Sequence, residues 1–532
     1  MPIEKKIDDK YRFRKKSKLF YIIILLIYFS LGLFSIFNHE PWRDELQAWL
    51  VANQSRTPVE LFHNIKYEGH PSLWYLFLFV INKLSDQFLV VQILHLCIAT
   101  IITYIFLVFA PFSKLQKVLF VFSYFVFFEY CVISRNYALG ILLIFSFCVA
   151  YKNLPGKWIL PSIIMFFLMQ TSISGCIIAI CFEIIIFTGL LFQNDQKRQS
   201  FSQKKAIVAH FAIILLGIIV FFLTILPPPD FSFGGDWNFS IDAKRGIKTL
   251  AMTWKVFFPF PEISINFWNT NILDSFFVGR LVGVILSLLI LGFIVFLFLR
   301  RPTLLFFYLS ATLGILAFAY FRYVGFFRHF GHLFILFIVT FWLKDFFIPI
   351  NIRSGKLRKI STWCEAKSNI FLLFILVVQF AAGTFSVAMD WKLPFSASKK
   401  TSEFIMNEKL DNLIILGSKD YAISPIAAYL NRKIYYPTSE SFGAFVRWTT
   451  KRKHKSCEEI VQYTEQLLKI FEQTDVLIIL NYDCQFEGEN IKKIAEFKKS
   501  IVSDEVYFLF LASAHCTFRR PLDCPNNGVH LK

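Results

Sequence analysis

Long apolar runs separated by short polar segments dominate the first 389 residues of the chain. A helix needs about 20 mostly apolar residues to cross the hydrocarbon core of a bilayer, so this pattern predicts a polytopic α-helical membrane domain. The run from Pro71 to Leu84 is shorter than that and is expected to dip into the outer face without crossing. We predict eleven transmembrane helices, at residues 19–37, 86–110, 117–131, 137–151, 158–171, 173–192, 206–226, 276–299, 303–321, 329–348 and 369–389.

After Asp390 the pattern changes to short apolar runs that alternate with helical stretches. Such alternation predicts a soluble α/β domain over residues 390–532 with a mainly parallel sheet. The predicted strands are residues 412–418, 433–437, 475–482 and 506–513. The run after the first strand lacks a glycine-rich phosphate motif, so a structural role is favoured for it over nucleotide binding. Acceptor docking is the role expected of the domain as a whole.

This domain also holds Cys457, Cys484, Cys516 and Cys524. A location on the outer face would permit disulfides. Cys516 and Cys524 form the easiest pair by their separation, and the pairing itself stays open.

The composition agrees with a membrane protein, since 56% of the residues are hydrophobic and 18% are aromatic. The net charge is +19, and residues 390–532 hold 20 basic and 18 acidic residues, so about +17 belongs to the membrane part. Cytoplasmic loops carry such an excess of Lys and Arg, which removes the need for a nucleic-acid partner. We therefore predict a multi-pass protein of the cell inner (cytoplasmic) membrane, with a basic cytoplasmic N-terminus at residues 1–18 and the C-terminal domain extracytoplasmic.

This topology exposes an acidic pair, Asp44 and Glu45, in the outer loop 38–85. The two acids follow Trp42 at the start of a segment with helical apolar spacing, which predicts an amphipathic helix lying on the membrane. First-turn acids also favour the positive end of a helix dipole, and this structural explanation remains open. Adjacent residues on a helix point about 100° apart, so the two acids are expected to have different partners.

Further polar residues fall on the same predicted face, including those around the outer loop 227–275. An arginine there can be an interfacial anchor, but together these residues predict one cavity. Arginine suits bidentate binding of phosphate. Loop aromatics often stack on sugar faces, but exposed Trp and Phe beside a bilayer are more often interface anchors. The candidates are Glu68, His70, Arg135, Tyr137, Trp237, Arg322, Arg328 and His329.

The stretch HEPWRDELQAWLVANQSRTPVELFHNIKYEGHPSLWY and the later ISRNYALGILL carry a family resemblance. A first span, an outer loop opening on an acidic pair, an amphipathic helix and an HPxLWY helix entrance resemble membrane glycosyltransferases of the GT-C fold. The most similar group is the bacterial one related to protein O-mannosyltransferases and to the aminoarabinose transferase that modifies lipid A. The resemblance covers residues 15–200, and the later spans follow it only in outline.

The resemblance implies transfer of a sugar, with inversion, from a polyprenyl-phosphate donor to an acceptor on the outer face: a lipid, a polysaccharide or a protein. It assigns Asp44 as the base, while Glu45 is left to bind a metal, the acceptor or a supporting cation. Arg135, Arg328, His329 and His70 are then the donor phosphate ligands, and Glu68, Tyr137, Arg322 and Trp237 line the cavity. A divalent cation, Mg²⁺ or Mn²⁺, is a further possibility, with Asp44 and Glu45 as its ligands.

Two other classes fit the same residues. In a transporter or flippase of a lipid-linked sugar, the acids and arginines would bind the substrate without catalysis. In a structural or assembly subunit, the C-terminal domain would be the working part and Asp44 would be dispensable. Charges gathered at one membrane boundary favour the transferase, because transporters place ionisable groups near the midplane.

Overall fold

The computed structural model describes residues 2–152, 154, 157–191, 201–234, 237–472, 475–486 and 490–514. These residues are mostly helical, and the described part of the chain contains seven helices that are long and apolar enough to cross a membrane. An eighth crossing results if the pair Lys114–Val121 and Tyr124–Val132, bent by 40°, counts as one span. The protein is therefore a polytopic membrane protein with a small C-terminal sheet domain.

The α-helices are α1 (Pro2–Asn38), α2 (Arg43–Gln54), α3 (Pro58–Ile65), α4 (Leu73–Asn82), α5 (Phe88–Phe109), α6 (Lys114–Val121), α7 (Tyr137–Tyr151), α8 (Ile159–Met169), α9 (Ile173–Leu191), α10 (Phe201–Ile225), α11 (Ala243–Phe257), α12 (Gly279–Phe298), α13 (Pro302–Phe321), α14 (Phe327–Leu343), α15 (Gly355–Lys392), α16 (Ser398–Asn407), α17 (Asp420–Tyr429) and α18 (Cys457–Ile470). A π-helix, Tyr124–Val132, lies between α6 and α7.

The seven long apolar helices coincide with the predicted spans 19–37, 86–110, 206–226, 276–299, 303–321, 329–348 and 369–389. The predicted span 117–131 corresponds to the bent pair. The predicted spans 137–151, 158–171 and 173–192 coincide with shorter apolar helices, so the total of eleven stays a prediction. Most of the 193–205 loop, on which the predicted orientation partly depends, lies outside the described residues.

The chain divides into two compact units. The membrane unit comprises the residues up to His39, Thr57–Pro228 and Phe233–Lys392. The C-terminal unit comprises Glu40–Arg56, Pro229–Ser232 and the residues from Leu393 onwards. The predicted outer loops 38–85 and 227–275 are therefore each shared between the two units.

The centre of the membrane unit is α14, in which every residue except His329 is buried. Helices nearer its periphery expose large apolar side chains, among them Ile22, Leu216 and Leu289. Exposed aliphatic side chains on a long apolar helix are the surface that a bilayer covers, whereas the buried stripe packs on neighbouring helices.

The C-terminal unit contains strands β1 (Ile414–Ser418), β2 (Ile434–Tyr436), β3 (Ser441–Gly443), β4 (Asp475–Leu480), β5 (Ile491–Phe497) and β6 (Tyr507–Ser513). They form one sheet in the order β3-β2-β1-β4-β6-β5. Strand β1 runs parallel to β2 and β4. The other three pairings, β2 with β3, β4 with β6 and β5 with β6, are antiparallel.

The prediction of a mainly parallel sheet was therefore wrong. A parallel pair needs a crossover of a dozen or more residues, usually through a helix. Helix α17 lies in the connection from β1 to β2, and α18 precedes β4, the other parallel neighbour of β1. No described helix follows β4, so β5 and β6 return as antiparallel neighbours. Strand β5 escaped prediction because its sequence, IKKIAEF, carries the charged side chains with which an edge strand resists further pairing.

A disulfide between Cys457 and Cys484 links the start of α18 to the segment after β4. Cys484 belongs to the apolar core between α18 and the sheet, together with Ile460, Leu467 and Val476. The bridge closes a loop with a sequence separation of 27. The predicted pair Cys516 and Cys524 lies outside the described residues.

Candidate functional site

A buried carboxylate, Glu129, lies in the π-helix of the membrane unit. Every residue of this helix is buried, and Glu129 is 1% exposed. Its Oε1 atom accepts hydrogen bonds from the hydroxyl of Tyr124 at 2.6 Å and from Nε1 of Trp268 at 2.8 Å. Short π-helical segments occur often at functional sites, and an ionisable residue inside an apolar span carries a functional expectation.

Arg328, at the start of α14, lies beside this carboxylate network. Its guanidinium stands 5.3 Å from the ring centre of Trp268 and 4.9 Å from that of Phe326. The hydroxyl of Tyr130 donates a hydrogen bond of 3.0 Å to the Arg328 carbonyl oxygen. Glu129 interacts electrostatically with Arg328 and also with Arg135. A planar cation is thus held between aromatic faces close to a buried acid.

Arg135 precedes α7 and is also buried, at 6% exposure. Its Nη2 lies 3.5 Å from Nε2 of His70, and its guanidinium is 6.0 Å from the ring centre of Tyr137. Tyr137 in turn contacts His329, with ring centres 6.2 Å apart, and Tyr130, at 5.4 Å. These contacts join His70, Arg135, Tyr137, Arg328 and His329 to Glu129 and Trp268 in one group, which we call the arginine cluster.

Two glycines permit this packing. A Cβ atom at Gly331 would collide with the Tyr130 hydroxyl, which bonds the Arg328 carbonyl, and with the ring of Phe125. A Cβ atom at Gly383 of α15 would lie 2.8 Å from the backbone nitrogen of Tyr124, where the π-helix begins. Helix backbones can approach this closely only at a residue without a side chain.

Three predicted cavity residues have other described contacts. Glu68 accepts a hydrogen bond of 3.2 Å from the hydroxyl of Tyr75. Arg322 donates to the carbonyl oxygens of Gly234 and Phe233, at 3.1 and 3.3 Å. Trp237 is 54% exposed and stacks on Phe239. For Arg322 and Trp237 these contacts organise the loop 227–275.

The acidic pair lies in the C-terminal unit, in the first turn of α2. Glu45 is 1% exposed, and its Oε2 accepts a hydrogen bond of 3.3 Å from the backbone N–H of Trp42. Glu45 therefore closes the helix N-terminus, in agreement with the structural explanation that the sequence left open. Asp44 is half-buried and adds to the negative field at Arg43.

Arg43 and Glu505 form the electrostatic centre next to this pair. Burial raises the pKa of the Glu505 carboxyl to about 7, and the guanidinium of Arg43 opposes that rise. Burial alone would lower the pKa of Arg43, but Glu505 and Asp504 raise it above its ordinary value, so Arg43 stays charged. A permanent cation in the first turn of α2 is thus paired with the carboxyl of Glu505, whose pKa burial raises to about 7.

Three residues in or next to the arginine cluster were not among the candidates chosen from the sequence: Glu129, Trp268 and His332. Glu129 had a usable signal, because it is the one acid in the predicted span 117–131. His332 is fully buried beside Tyr130 and Tyr137. Trp268 had no local signal, since its contact with Glu129 is long-range.

A second polar group lies between α8, α9 and α10. Oγ of Ser162 is 2.8 Å from Nδ1 of His210, and Nε2 of His210 is 3.0 Å from Oε2 of Glu183. The Ser162 hydroxyl also bonds the carbonyl oxygen of Trp158, one helical turn earlier, at 2.7 Å. A hydroxyl committed to its own helix is a poor nucleophile, so this arrangement suits proton binding or helix packing better than acyl transfer.

The arginine cluster combines features that suit an anion with a polar head and an apolar tail: buried guanidinium groups, ring nitrogens and aromatic faces within a membrane-embedded unit. Among the described residues, no three His, Cys, Asp or Glu side chains are grouped so that they could hold a metal ion. The possible Mg²⁺ or Mn²⁺ therefore stays a prediction.

A scan against protein-family models finds no match to this chain. A search of curated protein sequences likewise finds no significant match.

Proposed function

We propose that this protein is a membrane glycosyltransferase that uses a polyprenyl-phosphate sugar as its donor. The observation that supports the proposal is the arginine cluster, in which Arg135 and Arg328 are buried in a membrane-embedded unit near the ends of apolar helices. Buried arginines at such positions are costly and mark binding sites for anions. A lipid-linked phosphate has the required charge and an apolar tail that remains in the bilayer.

In the proposed reaction an acceptor hydroxyl oxygen attacks the anomeric carbon of the donor. The bond from that carbon to the phosphate oxygen breaks, and the configuration inverts. Polyprenyl phosphate leaves with the electron pair, and its added charge would be stabilised by Arg135 and Arg328. The acceptor proton passes to a carboxylate, for which Asp44 is the proposed base. The membrane is the cytoplasmic membrane in this proposal, with the reaction on its outer face and the acceptor unidentified.

The test is release of free polyprenyl phosphate by the purified full chain in lipid nanodiscs, with a panel of polyprenyl-phosphate sugars and membrane extract as acceptor. Turnover with one sugar that falls by about a thousandfold in Asp44→Asn supports the transferase. Asp483→Asn is the matched control, because Asp483 is exposed and its ion pair with Lys493 lies on the surface. Turnover that survives in Asp44→Asn would remove the proposed base, and no turnover with any donor would remove the proposed activity.

The second candidate is a carrier of a lipid-linked sugar. The pair formed by His210 and Glu183 favours it, because paired ionisable residues inside membrane helices mark proton or ion pathways in transporters. A carrier would bind the donor without releasing polyprenyl phosphate in either wild type or Asp44→Asn. It would also move the lipid between leaflets of a vesicle, and His210→Gln would abolish that movement.

A further inference from the structure

The helix that carries Asp44 is built into the C-terminal unit. Helix α2 packs against α17 of that unit. Trp42, at its start, is 1% exposed and contacts the ring of Phe395 with ring centres 6.3 Å apart. Burial of a Trp side chain to this extent stabilises the contact, so the segment is firmly attached at this point.

Arg43 attaches the first turn a second time. Its backbone N–H donates a hydrogen bond of 3.0 Å to Oε1 of Glu505, which is 0% exposed. Its guanidinium Nη1 lies 2.7 Å from the carboxylate of Asp504, and the group stacks on the ring of Tyr421 at 5.4 Å. Main chain and side chain of one residue are thus held by two consecutive acids of the C-terminal domain.

Gln47, one helical turn later, supplies a third attachment. Its Nε2 donates a hydrogen bond of 2.8 Å to the carbonyl oxygen of Val446, and its Oε1 accepts one of 3.0 Å from the Val446 N–H. A side-chain amide that pairs with both the backbone N–H and the backbone C=O of one residue has a fixed position and a fixed orientation. Arg43 and Gln47 lie four residues apart and therefore on the same face of α2.

Asp44 lies between these attachments but points about 100° away from Arg43 around the helix axis. Its backbone position is therefore set by bonds of its neighbours, while its own carboxylate is on a different face. Catalytic groups need a geometry accurate to about half an ångström, which an isolated amphipathic helix of 12 residues cannot maintain by itself.

We propose that the C-terminal domain is the positioning element of the transferase: Glu505, Asp504 and the backbone of Val446 orient α2, and Arg43 and Gln47 are the positioning residues for the base Asp44. This inference rests on the proposed function and extends it, because it gives the C-terminal domain a role in the chemical step. Acceptor docking, the role expected from the sequence, is not required by it.

The experiment compares wild type with Gln47→Ala, Gln47→Glu and the exposed control Gln462→Ala of α18, all as full chains in nanodiscs. Two quantities are measured: amide hydrogen exchange of residues 43–54, and kcat and KM for the donor. We expect Gln47→Ala to accelerate exchange in α2 and to lower kcat by about 10- to 100-fold, with the donor KM changed less than about twofold. Gln47→Glu keeps the acceptor for Val446 N–H and loses the donor, so an intermediate kcat is expected.

Unchanged kcat in Gln47→Ala, despite faster exchange in α2, would overturn the positioning role. Unchanged exchange in Gln47→Ala would overturn the attachment itself. If wild type shows no turnover with any donor, the proposed function fails, whereas the exchange measurement still decides whether the C-terminal domain holds α2. The two failures are therefore distinguishable.

Discussion

Nε1 of Trp268 donates a hydrogen bond of 2.8 Å to Oε1 of Glu129, although 139 positions separate the two residues along the chain. This bond connects the loop 227–275 with the π-helix inside the membrane unit. The same oxygen accepts the Tyr124 hydroxyl, so the carboxylate is shared between a loop residue and its own helix. The relationship explains how a mostly apolar span can contain a fully buried acid.

We predict that Trp268→Phe lowers the stability of the protein. The substitution removes the Trp268 donor to a buried carboxylate at nearly constant shape and leaves the Tyr124 donor in place, which costs about 1–3 kcal/mol. The midpoint of thermal unfolding in detergent measures the effect. Trp237→Phe is the control, because Trp237 is 54% exposed and should leave the midpoint nearly unchanged. Equal midpoints for Trp268→Phe and wild type would show that the bond contributes nothing.

The arginines of the cluster should determine donor affinity. Arg135→Lys and Arg328→Lys keep the charge but lose bidentate contact with a phosphate, so we expect each to weaken donor binding by about tenfold or more. Binding of a polyprenyl-phosphate sugar is best measured in the Asp44→Asn background, which prevents turnover. Arg353→Lys, at an exposed position, is the control. Affinities within twofold of the control for both variants would place the phosphate elsewhere.

Stability should depend on the protonation of Glu505. Its pKa is raised from the ordinary 4.5 to about 7 in the folded protein, so the folded state holds this proton more tightly than the unfolded state does. The stabilising contribution is therefore complete below pH 4.5 and is lost as the pH rises through 7. Its size is on the order of 3 kcal/mol.

Glu505→Gln should abolish this dependence, because the amide stays neutral and can still accept the Arg43 N–H. We expect the variant and wild type to unfold at similar temperatures near pH 4.5 and the variant to be the more stable near pH 8. Neighbouring groups that titrate or carry charge are common to both proteins, so their effects cancel in the comparison. These groups are Arg43, Asp504, Tyr507, Tyr429, Glu40, Glu45 and Glu403. A constant difference across this range would contradict the assignment.

The membrane topology can be tested because the C-terminal unit is made of segments from separate parts of the chain. Residues Glu40–Arg56 and Pro229–Ser232 belong to the same compact unit, so the chain between Arg56 and Pro229 should cross the bilayer an even number of times. The six spans predicted there satisfy this condition, and a crossing by the segment from Pro71 to Leu84 would break it. Single cysteines in place of Arg56, Pro229 and Glu440 should all react with an impermeant maleimide from the outside of intact cells, and one in place of Lys204 should not. Labelling of Arg56 and Pro229 positions from opposite sides would refute the even count.

The linear pattern of side chains was sufficient to predict the long membrane helices. Apolar runs of sufficient length coincide, for example, with the helices Gly279–Phe298 and Phe327–Phe346. A helix makes its backbone hydrogen bonds within its own segment, so its presence in a membrane depends only on the hydropathy of that segment. The same locality placed Asp44 and Glu45 in the first turn of α2 and Arg328 and His329 at the start of α14. Residues near helix ends could therefore be chosen as candidates, and His70, Arg135, Tyr137, Arg328 and His329 do come together.

Contacts between distant parts of the chain were decided by the tertiary structure alone. No spacing rule connects Trp268 with Glu129, Arg43 with Glu505, or Gln47 with Val446, because each bond depends on how separate elements pack. For the same reason the sheet contains both parallel and antiparallel pairs. Packing likewise places α2 in the C-terminal unit, although the residues that follow it from Thr57 belong to the membrane unit. Periodicity reports which face of an element is buried, but the partner that buries it is a property of the fold.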